Sequence, residues 1–203
     1  MKYLIEYRIN LNKVNNGGKK WPCNIFESNS EAVVRCLMIF GKNKNKVNSK
    51  GETLLFNASS KGNIVLVECL VEFGLNINKV NCKGETPLFN ACSSGNEELV
   101  KYLVEHGADI NKENSFGETA LFLACKEGHI DIVKYLVEHG ADINKEDNYS
   151  FTPLFWSCQE GHISIVKYLV KHGANVNEES ISGNTPLSYA CQNGHINIVK
   201  YLM

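Results

Sequence analysis

Residues 133–140 read Val-Lys-Tyr-Leu-Val-Glu-His-Gly, and the same eight residues stand at 100–107. They return at 166–173 with one change, Lys171 for glutamate. The interval is 33 residues, and other series keep it: Thr53, Thr86, Thr119, Thr152 and Thr185, and Gly62, Gly95, Gly128, Gly161 and Gly194. A fixed period of this size means stacked supersecondary units, because one short unit cannot bury its own apolar face.

Each unit reads as two short helices and a turn. Thr86-Pro87, Thr152-Pro153 and Thr185-Pro186 fit an N-cap followed by proline at the first helical position, where a missing N–H does no harm. The first helix is expected to stop at Gly95, Gly128 or Gly161, a position for left-handed backbone. The second helix is expected to bury a stripe of Ile130, Val133, Leu136 and Val137, with Lys134 and Glu138 outside. It stops at His139-Gly140, a basic residue at the negative helix end followed by glycine. Ala141-Asp142-Ile143-Asn144 then opens the turn into the next unit.

These residues resemble the ankyrin repeat. Gly84-Glu85-Thr86-Pro87-Leu88, Gly128-His129 and Gly140-Ala141-Asp142-Ile143-Asn144 carry the resemblance. It is strong over residues 51–203 and weak over 1–50. It implies an all-α solenoid of helix–turn–helix units with finger turns, in one domain over 1–203. The units fall at 18–50, 51–83, 84–116, 117–149 and 150–182, with partial units at 1–17 and 183–203. Three departures stand out. Phe56, Phe89, Phe122 and Phe155, with Ser188 last, occupy the place where the family carries a histidine that ties neighbouring turns by hydrogen bonds; an apolar contact is expected instead. Lys20-Trp21-Pro22 replaces Thr-Pro-Leu in the unit at 18–50, which is expected to be distorted. Ser150 replaces a turn glycine, which strains a position that favours positive φ.

The formal charge of −1 hides an asymmetry. Residues 1–50 hold ten Lys or Arg against three acids, a balance of +7, and residues 51–203 hold 11 against 19, a balance of −8. This is either drift of solvated surface or a field that steers a bipolar partner or head-to-tail association. Lysines crowd at 42–50 without aromatic residues between them to stack bases, so no nucleic-acid partner is expected. The opening residues are broken by Glu6 and Arg8, and the best apolar run, 32–40, contains Arg35; neither a signal peptide nor a membrane insertion is expected. Of eight cysteines, Cys92, Cys125, Cys158 and Cys191 follow the repeat, as do Cys36 and Cys69. Spacing set by a repeat, without CxxC, is not a disulfide framework. Eight free thiols, most of them buried, and a cytoplasmic setting (the nucleus left open) follow from that.

The histidines fall in two registers, His129, His162 and His195 after the inter-helix glycine, and His106, His139 and His172 before the second. One histidine per unit lacks the ligand spacing of a metal site, and local hydrogen bonding is the reading adopted. No phosphate-binding glycine motif or nucleophile–base arrangement stands apart from the repeat. No catalytic residue, metal or cofactor is therefore expected. The family also includes substrates of an asparaginyl hydroxylase, and the resemblance extends to Asn111 and Asn144, each with an acid two residues before and a leucine upstream. The competing reading is that these asparagines only hold the turn.

The function expected from the resemblance is a scaffold or adaptor that grips a partner protein on the concave face of fingers and first helices. The alternative is a regulatory fragment of a larger enzyme or channel. Residues flanking the turn glycine should lie on the finger tips: Lys50/Glu52 and Lys83/Glu85, charges that can pair; Phe116/Glu118; Tyr149/Phe151; and Ser182/Asn184. Phe116, Tyr149 and Phe151 are expected to anchor the partner. Trp156 extends the patch or packs inward, and Lys126, Glu127, Gln159 and Glu160 flank it. Leu4, Ile196, Val199 and Leu202 are expected beside partly uncovered apolar surface at the two ends, open to self-association.

Overall fold

Regular glycines, threonines and apolar stripes resolve into pairs of short antiparallel helices. The structure, a computed structural model, describes residues 47–203. The helices are α1 (Leu54–Ser60), α2 (Ile64–Glu72), α3 (Pro87–Ser94), α4 (Glu97–Glu105), α5 (Ala120–Glu127), α6 (Ile130–Glu138), α7 (Pro153–Glu160), α8 (Ile163–Lys171), α9 (Pro186–Gln192) and α10 (Ile196–Leu202). No strand occurs among the described residues. Residues 18–46 of the weakly matching unit at 18–50, Leu4, Cys23, Cys36 and the lysines before Val47 lie outside them.

Helices of seven to nine residues are too short to persist alone, so stacking holds them. The odd-numbered first helices form one closely packed row. Ala58, Ala91, Ala124, Ser157 and Ala190 recur in that row, fully buried, and their small side chains let the helices approach. The even-numbered helices touch one another less. Leu99, Leu103, Val133, Leu136, Val166 and Leu169 are fully buried between the rows. Each such leucine contributes about 1.5–3 kcal/mol.

Two helix expectations change. The buried stripe of α6 is Ile132, Val133 and Leu136, while Ile130 and Val137 are only half-buried. A helix flanked by α5 and by two second helices must cover a wider arc than one stripe. Thr53, Thr86, Thr119 and Thr152 do stand at the N-caps with extended backbone, but their hydroxyls cap nothing. The amide of the phenylalanine three residues on donates to the threonine backbone carbonyl instead, at 3.0–3.1 Å. The phenylalanine rings are buried and give the hydroxyls no partner, so Thr53, Thr86 and Thr152 keep unpaired buried oxygens. In α9, where Ser188 replaces phenylalanine, Thr185 and Ser188 close a reciprocal capping box.

The first helices end as expected, with Gly95, Gly128 and Gly161 at φ 73°, 84° and 84°. Cys69, Cys92, Cys125 and Cys158 are buried, and none of them is in a disulfide. Cys191, expected to share their environment, is exposed, as is Cys82. Cys191 sits in the last described helix pair, α9 and α10. There Ile196 is 64% exposed, and Val199 and Leu202 are half-buried.

Candidate functional site

The fingers are built by one device repeated. Asn48, Asn81 and Asn114 each accept, through Oδ1, from the amides two and four residues on, at 2.8–3.0 Å. Each also donates Nδ2 to the glutamate four residues on, at 2.8 Å. Glu52 and Glu85 are therefore held by asparagine in their own turn, and the expected pairing with Lys50 and Lys83 does not form. Asparagine wins because it lies within the turn, whereas a lysine at the exposed tip gains little from a solvated pair. Neighbouring fingers are joined by backbone bonds: Cys82 N–H to Lys50 O, Ser115 to Lys83, Asn148 to Phe116 and Ile181 to Tyr149, at 2.9, 2.8, 2.9 and 3.1 Å. The longest of these follows Ser150, a non-glycine turn residue held at φ 58°.

The fourth finger departs from this plan. Asp147 stands at the asparagine register and Phe151 at the glutamate register. Asp147 Oδ1 still accepts from the Tyr149 and Phe151 amides at 2.8 and 2.9 Å, so the turn is unchanged. The Phe151 ring folds inward, meeting Phe155 at 5.1 Å and Tyr189 at 5.6 Å edge-on and lying 6.2 Å from Trp156. Phe116 and Tyr149, by contrast, stand 48% and 56% exposed. Phe116, Glu118, Asp147, Tyr149, Phe151 and Trp156 together line an open hollow of about 320 Å³, nearly all of its wall apolar.

The expected anchors thus divide. Phe116 and Tyr149 are presented outward, and Phe151 is a wedge between units. Trp156 does both: half-buried, with an indole N–H that has no hydrogen-bond partner among the described residues, it carries the Lys126 ammonium 4.6 Å from its ring centre. Gln159 Nε2 donates to Glu160 at 3.0 Å, and Glu127 is exposed. Sequence reasoning missed Asp147 and Tyr189. The signal for Asp147 was present, as the single acid in a register otherwise filled by Asn48, Asn81, Asn114 and Ser180.

Two other residue sets bind units together. Asn111 donates Nδ2 to Gly140 O at 2.9 Å and accepts from Asp142 N–H at 3.0 Å; Asn144 makes the same clasp with Gly173 O and Asn175 N–H. These asparagines therefore reach the next unit, beyond their own turn. His162 and His195 place Nε2 2.9 and 2.8 Å from the carbonyls of Lys126 and Gln159 in the preceding unit. Their bonds are not local, as had been expected. His106, His139 and His172 do bond locally, each with Nδ1 2.7–2.8 Å from the tyrosine carbonyl four residues before. Among the described residues, no group of three or more His, Cys, Asp or Glu could hold a metal ion, and no helix is long and apolar enough to cross a membrane.

A family profile described as "Ankyrin repeats (3 copies)" matches residues 24–114, 111–180 and 151–203. The chain belongs to the ankyrin repeat family. Ankyrin repeats generally serve protein–protein interaction, and an ankyrin domain is typically non-catalytic. A search among curated proteins finds no match. In this ankyrin array the finger plan is regular in the first three described units and altered in the fourth, and the outward aromatic rings stand where it changes.

Proposed function

We propose that this chain is a scaffold or adaptor that grips a partner protein on the face formed by its fingers and first helices, centred on Phe116 and Tyr149. The observation that carries the reading is their exposure. Two large rings stand about half in solvent on adjacent fingers, while Phe56, Phe89, Phe122 and Phe155 nearby are buried. Isolated exposed apolar residues are ordinary, but adjacent rings over an apolar hollow are the composition of a binding hot spot. Stability gives no reason for them, since the turns that carry them are held by Asn114 and Asp147 through backbone amides. Lys126, Glu127, Gln159 and Glu160 on α5 and α7 supply a polar rim.

The test is affinity capture from the native source, followed by amide exchange of the complex. Protection gained at residues 114–118 and 147–151 supports the reading. Protection confined to the second helices α4, α6 and α8 overturns it.

A further inference from the structure

Within residues 47–203 one asparagine stands directly before a glycine, Asn193 before Gly194. The pair falls in the register where each first helix ends. Lys61-Gly62, Ser94-Gly95, Glu127-Gly128 and Glu160-Gly161 fill that register in the other described units, so a side-chain amide precedes the glycine here alone. The surroundings of the glycine differ as well. A Cβ on Gly95, Gly128 or Gly161 would lie 2.5–2.6 Å from the ring of His129, His162 or His195, whereas one on Gly194 meets nothing within 4 Å. Asn193 and Gly194 are both exposed.

Asn193 is the C-cap of α9, at φ −93° and ψ 2°. Its Nδ2 donates to the Tyr189 carbonyl at 3.0 Å, and Gly194 N–H donates to the Cys191 carbonyl at 3.1 Å. Both bonds must open before the Gly194 nitrogen can reach Asn193 Cγ. Helix ends fray, and such local openings cost far less than global unfolding. A glycine leaves the approach unhindered, since it has no Cβ and the widest choice of backbone angles. Asn111 and Asn144 lack these conditions: each makes two bonds to the following unit and precedes a lysine.

We propose that Asn193-Gly194 is a site of spontaneous covalent modification through a succinimide, and that the products loosen α9 and α10 from the unit before them. The Gly194 backbone nitrogen bonds to Asn193 Cγ as the Cγ–Nδ2 bond breaks, and the Gly194 amide proton leaves with Nδ2 as ammonia. Water then opens the ring. Cleavage at Cγ gives aspartate, and cleavage at the main-chain carbonyl gives isoaspartate, in which the chain runs through Cγ. Either product sets a carboxylate at the negative end of α9, an unfavourable place for it, and removes the donor to Tyr189. Isoaspartate also adds a carbon to the main chain just before Gly194 and His195. His195 N–H donates to Ala190 O at 2.9 Å, and its Nε2 lies 2.8 Å from Gln159 O in the preceding unit. The added carbon displaces that tie.

The test incubates the full chain at mildly alkaline pH beside a synthetic peptide of residues 189–197. Peptide mass spectrometry locates aspartate and isoaspartate, and amide exchange compares aged with fresh chain. Conversion at 193 is expected to outrun that at every other asparagine of residues 47–203. It should lag the peptide by no more than about 30-fold, the scale of opening a helix end. Asn193→Gln should remove that conversion. Exchange over 186–202 should be faster in the aged chain, with 87–138 unchanged. Faster conversion at another of these asparagines, or a greater lag behind the peptide, would overturn the site. Unaltered exchange over 186–202 in converted chain would overturn the loosening.

Discussion

Replacing Gly128 by alanine and, separately, Gly140 by alanine should separate backbone strain from inter-unit contact. Both glycines are left-handed, at φ 84° and 90°. Alanine costs about 1–2 kcal/mol in that conformation at either place. Their surroundings differ. A Cβ on Gly140 meets nothing within 4 Å, whereas one on Gly128 would lie 2.6 Å from the His162 ring. That ring must move, and with it goes the 2.9 Å bond from His162 Nε2 to the Lys126 carbonyl. A hydrogen bond of this kind is worth about 0.5–1.5 kcal/mol net. Gly140→Ala should therefore cost about 1–2 kcal/mol and Gly128→Ala about 1.5–3.5 kcal/mol. Urea unfolding followed by circular dichroism measures both. Adding His162→Ala to Gly128→Ala should cost little more, because the contact is already lost. Equal costs for the two glycines, or full additivity with His162→Ala, would refute the view that the histidines tie one unit to the next.

Asn111→Ala removes two inter-unit hydrogen bonds at 2.9 and 3.0 Å; at an exposed site the loss should be about 1–2 kcal/mol by urea titration. Ser150→Gly relieves a non-glycine residue at φ 58°, and after the entropy that glycine adds to the unfolded chain it should gain about 0.5–1 kcal/mol in the same assay. Burial raises the Cys125 and Cys158 thiols from the ordinary 9.0 to about 12. Folded-state values above the unfolded ones mean that the native chain holds more protons between those limits, so stability should be level below pH 9 and fall as pH climbs toward 12. A thiol reagent at neutral pH should label exposed Cys82 and Cys191 quickly and Cys92, Cys125 and Cys158 only on unfolding.

Features set within one unit could be read from the sequence: the helix pairs, the left-handed glycines at the ends of the first helices, and the strained serine at 150. Features set by the neighbouring unit could not. His162 looks like a helix-start histidine, yet it reaches back to Lys126. A competition inside one unit was also hidden: Thr86 looks like a capping residue, yet its hydroxyl caps nothing while Phe89 N–H donates to the threonine carbonyl. Phe116 and Phe151 both flank the turn position, held by Gly117 in one unit and by Ser150 in the next. One stands out in solvent while the other wedges against Phe155 and Tyr189, and only the stacked arrangement separates them. Asp147 was legible as an odd residue in its register.

The most direct measurement is the affinity of the captured partner protein for the chain carrying Phe116→Ala and Tyr149→Ala, with its melting temperature taken alongside. Phe151 is left intact because it packs between units. A loss of about 30-fold is expected, corresponding to ~2 kcal/mol on the hot-spot scale, at an unchanged melting temperature. Undiminished binding by a folded double variant would contradict it.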